Sequence, residues 1–312
     1  MLAHLTLQVS ISIIIPAYNA QKYIEYAIQS ALNQTVQTEI IVVDDGSTDT
    51  TAALVRKYPV TLILQNNFGV YKARAAAVEA ATGDYILSLD ADDQLKYDAC
   101  ATLIQHLDMN RVDIIQFQEM EYTSNDITNA YNSTRIQFLD EPFDLRKRAF
   151  ELDYKLRGKL IKRSIWMQVL NISTVYQKVS YHSDFAVFIP AAMLSKNYKQ
   201  LDYRGYYHQI GVNGSMSHLK DDRLVACYWD TFYVIEKVYK TCERMYITGQ
   251  MNDFKILIIN VYKEMYKYQG LRFKFKDQFT RMVQLGIITK QDIIETQKML
   301  EAQLSNRIKA EL

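Results

Sequence analysis

Between Ser10 and Phe117, short β-branched runs alternate with stretches of helical period, and this alternation constrains the fold more than any other feature of the chain. Strands separated by helix-length segments cannot pair through tight hairpins; they pair in parallel, with the helices as crossovers covering the sheet. The strand candidates are Ile11 to Ile15, Ile40 to Val43, Val60 to Leu64, Tyr85 to Leu89 and Ile114 to Phe117. Helix candidates fall between them at Ala20 to Asn33, Asp49 to Lys57, Val70 to Ala81 and Tyr97 to Leu107. The first, second and fourth strands are apolar enough for burial on both faces. Gly83 suits a helix stop, and Ser47 or Asp49 an N-cap for the second helix. The first part of the chain is therefore α/β.

Beyond Phe117 the pattern changes. Gln118 to Pro142 is rich in Thr, Ser, Asn and Asp between two short strand-like runs, which reads as a hairpin or mobile loop. Phe143 to Met216 mixes a helix, a strand at Lys159-Leu160-Ile161, a helix from Asp184 to Leu194 and a Tyr-rich strand at Tyr203 to Gln209. This segment is expected to complete the core and close the site. After Ser217, apolar residues recur at helical spacing (Leu224, Tyr228, Phe232, Ile235, Val238, Tyr239, Cys242) with no strand pattern. The expected organisation is a core over residues 1–217, with halves 1–117 and 118–217, and a helical appendage over 218–312.

A net charge of +1 gives no whole-chain argument for nucleic acid, and none is expected as a partner. Cys100, Cys227 and Cys242 are odd in number and lack metal or redox spacing, which points to free thiols in a reducing compartment. The run Ile11 to Ile15 is interrupted by Ser12, ended by Pro16 and has no basic flank, so it reads as a strand rather than a signal peptide. No segment reaches the roughly 18 apolar residues of a membrane span. The expected location is the cytoplasm.

Three polar clusters stand at the C-terminal ends of expected parallel strands, where open α/β sheets bind their ligands. They are Pro16-Ala17-Tyr18-Asn19, Asp44-Asp45-Gly46-Ser47 and Asp90-Ala91-Asp92-Asp93. A tyrosine at such an edge can stack on a base, and an aspartate can accept the imide N–H of uracil. Carboxylates packed as closely as Asp90, Asp92 and Asp93 repel one another, and a divalent cation with an anion on its far side relieves the repulsion. Together the clusters describe a nucleotide-diphosphate site, although acidic strand ends are also found as plain solvated loops.

The residues then become more specific. Ile13-Ile14-Ile15-Pro16-Ala17-Tyr18-Asn19, Ile41-Val42-Val43-Asp44-Asp45-Gly46-Ser47-Thr48-Asp49, and Asn67 to Asp93 with Gly69, Ala73-Arg74, Gly83-Asp84-Tyr85-Ile86 and the Asp-x-Asp resemble the signature of family 2 glycosyltransferases. The resemblance implies a GT-A fold, a Rossmann-like nucleotide-diphospho-sugar transferase core. It further implies that Pro16, Ala17 and Tyr18 line the base pocket, Asp45 reads uracil, Arg74 meets the nucleotide, Asp90 and Ala91 face the donor, and Asp92 ligates Mg²⁺ or Mn²⁺, with Asp93 a weaker candidate. Ala75 and Ala77 depart from the family's Ala-Arg-Asn-x-Gly pattern. The implied reaction is inverting transfer of a single sugar from a UDP-sugar to a saccharide or lipid-linked acceptor of a bacterial surface glycan (lipooligosaccharide, capsule or teichoic acid). The Gln-x-x-Arg-Trp motif of processive synthases is missing from the sequence.

Inverting transfer needs a base for the acceptor hydroxyl. The family places it in a Glu-Asp pair opening a helix; here the stretch is Tyr181-His182-Ser183-Asp184-Phe185, so Asp184 is the candidate base and Ser183 stands where the Glu would be. An N-cap role suits Asp184 as well. Tyr206-Tyr207-His208-Gln209 is similar to the stretch carrying a metal-binding histidine in bacterial glycosaminoglycan polymerases, which makes His208 a candidate ligand, with simple hydrogen bonding the alternative. His182 is a weaker candidate for acceptor or phosphate contact. The Lys159-Leu160 step also looks like a feature of the family, but Lys159 reads equally as a surface lysine. Between Lys255 and Arg281, seven basic residues stand against two acidic ones with aromatics interleaved, a pattern open to peripheral contact with an anionic membrane, a core-facing stripe or a dimer surface. Of the rivals, a nucleotidyltransferase should carry a Gly-rich phosphate loop near its first strand, where this chain has Pro16-Ala17-Tyr18-Asn19, and a dehydrogenase should carry a G-x-G-x-x-G, which does not follow the first strand here. A non-catalytic nucleotide-sugar or glycan binding protein on the same fold remains the alternative from another class.

Overall fold

In the computed structural model, which describes residues 9–107, 112–123, 127, 130–132, 149, 152–179, 181–210, 221–244, 254–256, 258–260 and 276–299, the chain divides into two compact units, Met1–Lys220 and Asp221–Leu312. The first is a GT-A-type α/β core. Its strands are β1 (Ile11–Ala17), β2 (Glu39–Asp44), β3 (Thr61–Leu64), β4 (Tyr85–Ser88), β5 (Gln94–Leu95), β6 (Ile114–Tyr122), β7 (Tyr131–Asn132), β8 (Lys159–Lys162) and β9 (Tyr198–Gln209). Among the described residues they form one sheet in the order β3-β2-β1-β4-β8-β6-β9-β5, with β7 on β6.

β1 lies between β2 and β4 and runs parallel to both, with Ile13 opposite Ile40 and Leu87. All seven of its residues are buried, as the unbroken apolar run requires. Helices α1 (Ile24–Leu32), α2 (Thr51–Val55) and α3 (Val70–Ala80) are the crossovers of this half. The chain steps outward from β1 to β2 and β3, then returns to the other side at β4. That reversal opens a crevice beyond the carboxyl ends of β1 and β4, where this sheet class holds ligands.

The remaining strands close the crevice. β8 and β6 pair antiparallel, and β9 joins β6 in parallel with register shifts on either side of Gln118. β5, two residues beyond Asp92, pairs antiparallel with Tyr206 and Tyr207. This short pairing sets the Tyr206–Gln209 stretch against the Asp90–Asp93 turn. After α4 (Ala99–Gln105), the described residues of the unit also include helices α5 (Arg163–Ile172) and α6 (Ser183–Leu194).

Two expectations change. Gln118 to Tyr122 continue β6 rather than opening a loop, because the long β9 offers them a partner through Gln209. Lys159 is 1% exposed, not a surface lysine, since β8 lies inside the sheet between β4 and β6.

In the second unit, α7 (Asp221–Arg244) buries Phe232, Ile235, Val238, Tyr239 and Cys242, matching the helical spacing of the sequence. Phe232 meets Phe279 of α8 (Lys276–Gln284) edge to face at 4.9 Å, and Tyr239 meets Phe254 likewise at 5.5 Å. Cys100, Cys227 and Cys242 are buried and are not joined in disulfides. Most of the basic aromatic segment, Val261 to Phe275, lies outside the described residues. Among the described residues no helix is long and apolar enough to cross a membrane.

Candidate active site

The first strand end is held by its neighbour. Asn19, at φ 50°, accepts the Thr48 N–H at 2.8 Å and donates its own N–H to Ser47 Oγ at 2.9 Å, which leaves Tyr18 49% exposed at the rim. Pro16 and Ala17 are buried, and the Ala17 carbonyl accepts the Asp45 N–H at 2.8 Å. Asp45 is committed to the loop after β3: its carboxylate accepts from Gln65 Nε2 (2.7 Å), Phe68 N–H (2.8 Å) and Gly69 N–H (2.8 Å). A carboxylate offers about four acceptor positions, so one on Oδ2 is left. Gly69 has φ 90°, and a Cβ there would come within 2.8 Å of the Val179 carbonyl, so only glycine can make this turn.

Arg74 joins the two sides of the crevice. Buried on α3, it donates from Nη1 to Asp184 Oδ1 at 2.6 Å and Ser183 Oγ at 2.9 Å, and from Nη2 to Asp90 Oδ1 at 2.7 Å. Its Nε is buried with no partner. Asp184 therefore sits in the first turn of α6 with its carboxylate turned toward Arg74, while His182, at φ 58°, holds the N-cap position. Leu156 N–H donates to the other oxygen, Oδ2, at 3.0 Å.

One cation holds both carboxylates, yet they shift in opposite directions. Burial raises both; for Asp184 the Arg74 charge, the Leu156 N–H and Arg157 outweigh it and leave the group below the usual carboxylate range. For Asp90 burial prevails over Arg74, aided by the charges of Asp184 and Asp93, and the pKa rises.

The other two aspartates divide the work. Asp93 is 1% exposed and accepts from Tyr206 Oη (2.8 Å), Gln209 N–H (2.8 Å) and His208 Nδ1 (3.1 Å). Donation from Nδ1 directs the other ring nitrogen, Nε2, away from this bond, as in metal sites where a carboxylate orients a histidine. Asp92 has none of these donors, and burial, followed by the charges of Asp93 and Asp90, pushes it up to about 7. Among the described residues no three carboxylate, histidine or cysteine side chains form a metal cage. The donor set nevertheless fits a divalent cation held jointly with a diphosphate. Burial and its acidic neighbours disfavour the charged form of Asp92, a cation beside it would restore that form, His208 is close enough to favour it too, and hard cations of this class take the rest of their shell from phosphate and water.

Sequence reasoning missed the turn before β8. Arg157 Nε donates to Glu119 Oε2 at 2.8 Å, and Lys155 Nζ lies 3.4 Å from Oε1 of the same glutamate. Arg157 is also close enough to Asp184 and Asp90 to favour the charged form of each, although burial still leaves Asp90 raised. A cluster of three basic residues, Lys155, Arg157 and Lys159, was the available signal, but its spacing matches no motif.

With this geometry in view, comparison with known proteins defines the class. The profile described as Glycosyl transferase family 2 matches residues 12–171, more than half of the chain, and the chain belongs to that family. Among curated proteins it is 37% identical over 131 residues to the chondroitin synthase of Escherichia coli, spanning 39% of this chain and 19% of that synthase. It is 25% identical to EpsH of Bacillus subtilis over 62% of this chain and 72% of EpsH. The fold is similar to the crystal structure of S. aureus TarS, with a TM-score of 0.65 at 16% identity over 91% of this chain and 50% of TarS. A shorter TarS chain, solved in complex with UDP-GlcNAc, matches with a TM-score of 0.55 at 18% identity over 80% of this chain and 76% of that one.

Proposed function

We propose that this chain is an inverting, metal-dependent glycosyltransferase that moves one sugar from a UDP-sugar to a saccharide or lipid-linked saccharide acceptor in the assembly of a bacterial surface glycan. The observation that carries the reading is the double contact of Arg74, with Asp90 on the donor side and Asp184 on the other. A single displacement needs a leaving group and an attacking hydroxyl on opposite faces of one carbon, and Arg74 ties the residues for both to one guanidinium.

Tyr18 offers a stacking face for the base, and Asp45 keeps one acceptor position for an imide N–H. Asp90 and Ala91 border the ribose and sugar, and Asp92 with His208 would hold Mn²⁺ or Mg²⁺. When bound, the cation supplies positive charge to the departing diphosphate. Asp184 is ionised at neutral pH and accepts the acceptor proton. Its lowered pKa makes it a weak base for a free alcohol. It is adequate once the oxygen has bonded to the anomeric carbon and become strongly acidic. The UDP-GlcNAc bound to TarS supports the nucleotide, and the polysaccharide-synthase name of the E. coli relative supports the acceptor class. A lipid-linked acceptor would bring the chain to the inner face of the cell membrane as a peripheral protein.

A second reading, a non-catalytic binding protein, draws on the three hydrogen bonds that occupy Asp184. UDP release from a panel of UDP-sugars, with Mn²⁺ and with EDTA, separates them. Slow hydrolysis of one donor that requires metal and is lost in Asp92→Asn is the expected result. Metal-dependent UDP binding without turnover under any acceptor would favour the binding protein, and no UDP binding would overturn the nucleotide site.

A further inference from the structure

Lys159 is a fully buried ammonium with no place in the steps above. Burying a charge is costly, and although the carboxylates of Asp153, Asp184 and Glu119 favour the ammonium, burial outweighs them and lowers its pKa to about 8. Its Nζ donates to the Lys155 carbonyl at 2.5 Å and lies 4.7 Å from the centroid of the Phe188 ring. Both partners lead to Asp184. The Lys155 carbonyl belongs to the turn whose Leu156 N–H holds Asp184 Oδ2 and whose Arg157 side chain is tied to Glu119. Phe188, fully buried, is one turn beyond Asp184 on the same helix. The turn itself is fixed by Gly158, at φ 63°, whose carbonyl accepts the Phe117 N–H at 2.8 Å.

We infer that Lys159 is a positioning residue for Asp184, clamping the Lys155–Gly158 turn to helix α6 so that the carboxylate is held from both oxygens, by Arg74 on one and Leu156 N–H on the other. The inference rests on Asp184 being the base. A misplacement of about 1 Å at a reacting group costs on the order of 100-fold in rate. Lys159→Met keeps the length and removes the charge, so it frees the turn without touching the donor residues.

The test compares native chain, Lys159→Met, Lys159→Arg and Asp184→Asn for UDP release from the UDP-sugar that the native chain turns over, alongside UDP binding by calorimetry. Expected for Lys159→Met is a kcat lower by about 10- to 100-fold with donor KM and UDP affinity within about twofold of native. Lys159→Arg, which keeps the charge, recovers most of that loss. The inference is overturned by an unchanged kcat in Lys159→Met, by loss of UDP binding together with turnover, or by equal impairment of the Arg and Met variants. An Asp184→Asn chain as active as the native one overturns the underlying reading and the inference with it. An inactive Asp184→Asn chain beside a fully active Lys159→Met overturns the inference alone.

Discussion

Arg74 shows how one residue can serve both stability and chemistry. Its guanidinium is buried between Asp90 and Asp184, and truncating it would leave two partly buried carboxylates without their cation. Breaking such a pair from one side costs about 3–5 kcal/mol. Arg74→Met should therefore lower the urea unfolding free energy by that amount, and an unchanged midpoint would place the two carboxylates in water. The sequence exposed the members of this cluster but not the bond between them. Arg74 and Asp184 are 110 positions apart, and neither periodicity nor motif spacing encodes a tertiary contact at that distance. Lys159 stays open in the sequence between a family feature and a surface lysine for a related reason. A lysine before Leu160-Ile161 looks like the polar edge of a strand until β4 and β6 are seen on both sides. His208, by contrast, was legible as a candidate because its Tyr-His-Gln stretch resembles one that carries a metal-binding histidine in bacterial glycosaminoglycan polymerases, and Asp93 now accounts for its orientation.

At the scale of elements, close backbone approach and carboxylate bonding hold the sheet in register. Gly158 has φ 63° and a Cβ there would meet the Phe117 carbonyl at 2.5 Å, so Gly158→Ala combines strain with a clash against backbone. A loss of about 1–3 kcal/mol is expected from the backbone conformation alone, read from chemical unfolding. At the other end of the sheet, Glu39 of β2 accepts from Ser12 Oγ on β1 and from the Thr82 N–H and hydroxyl ahead of β4. Burial would raise its pKa, but these donors outweigh it and bring it below the usual 4.5. A depressed folded-state pKa contributes stability above the unfolded value, and this is lost as pH falls through the folded one. The stability gap between native chain and Glu39→Gln should be full at pH 7 and shrink below pH 4.5; a gap independent of pH would remove Glu39 from this role. Strands β1, β2 and β4 were legible because double burial writes an unbroken apolar run. β5 is only two residues long, and Tyr198 to Asp202 of β9 lack alternation, so these elements take their form from tertiary pairing.

For the whole molecule, each unit has its own apolar packing. In the second, Phe232 is buried against Phe279, and Phe232→Ala should cost about 3–5 kcal/mol by leaving a cavity, seen as an early unfolding transition in a thermal scan. In the first, the sheet brings strand ends from β1, β2 and β4 to one crevice and β9 folds back to add His208, an arrangement in which donor residues and acceptor residues are separable by mutation. The measurement that bears most directly on this account is UDP binding and UDP-sugar turnover by the native chain, Asp92→Asn and Asp184→Asn, each with Mn²⁺ and with EDTA. The account predicts that Asp92→Asn loses metal-dependent UDP binding and turnover together, whereas Asp184→Asn binds UDP like the native chain and loses turnover. Full turnover in either variant, or UDP binding indifferent to both metal and Asp92, would contradict it.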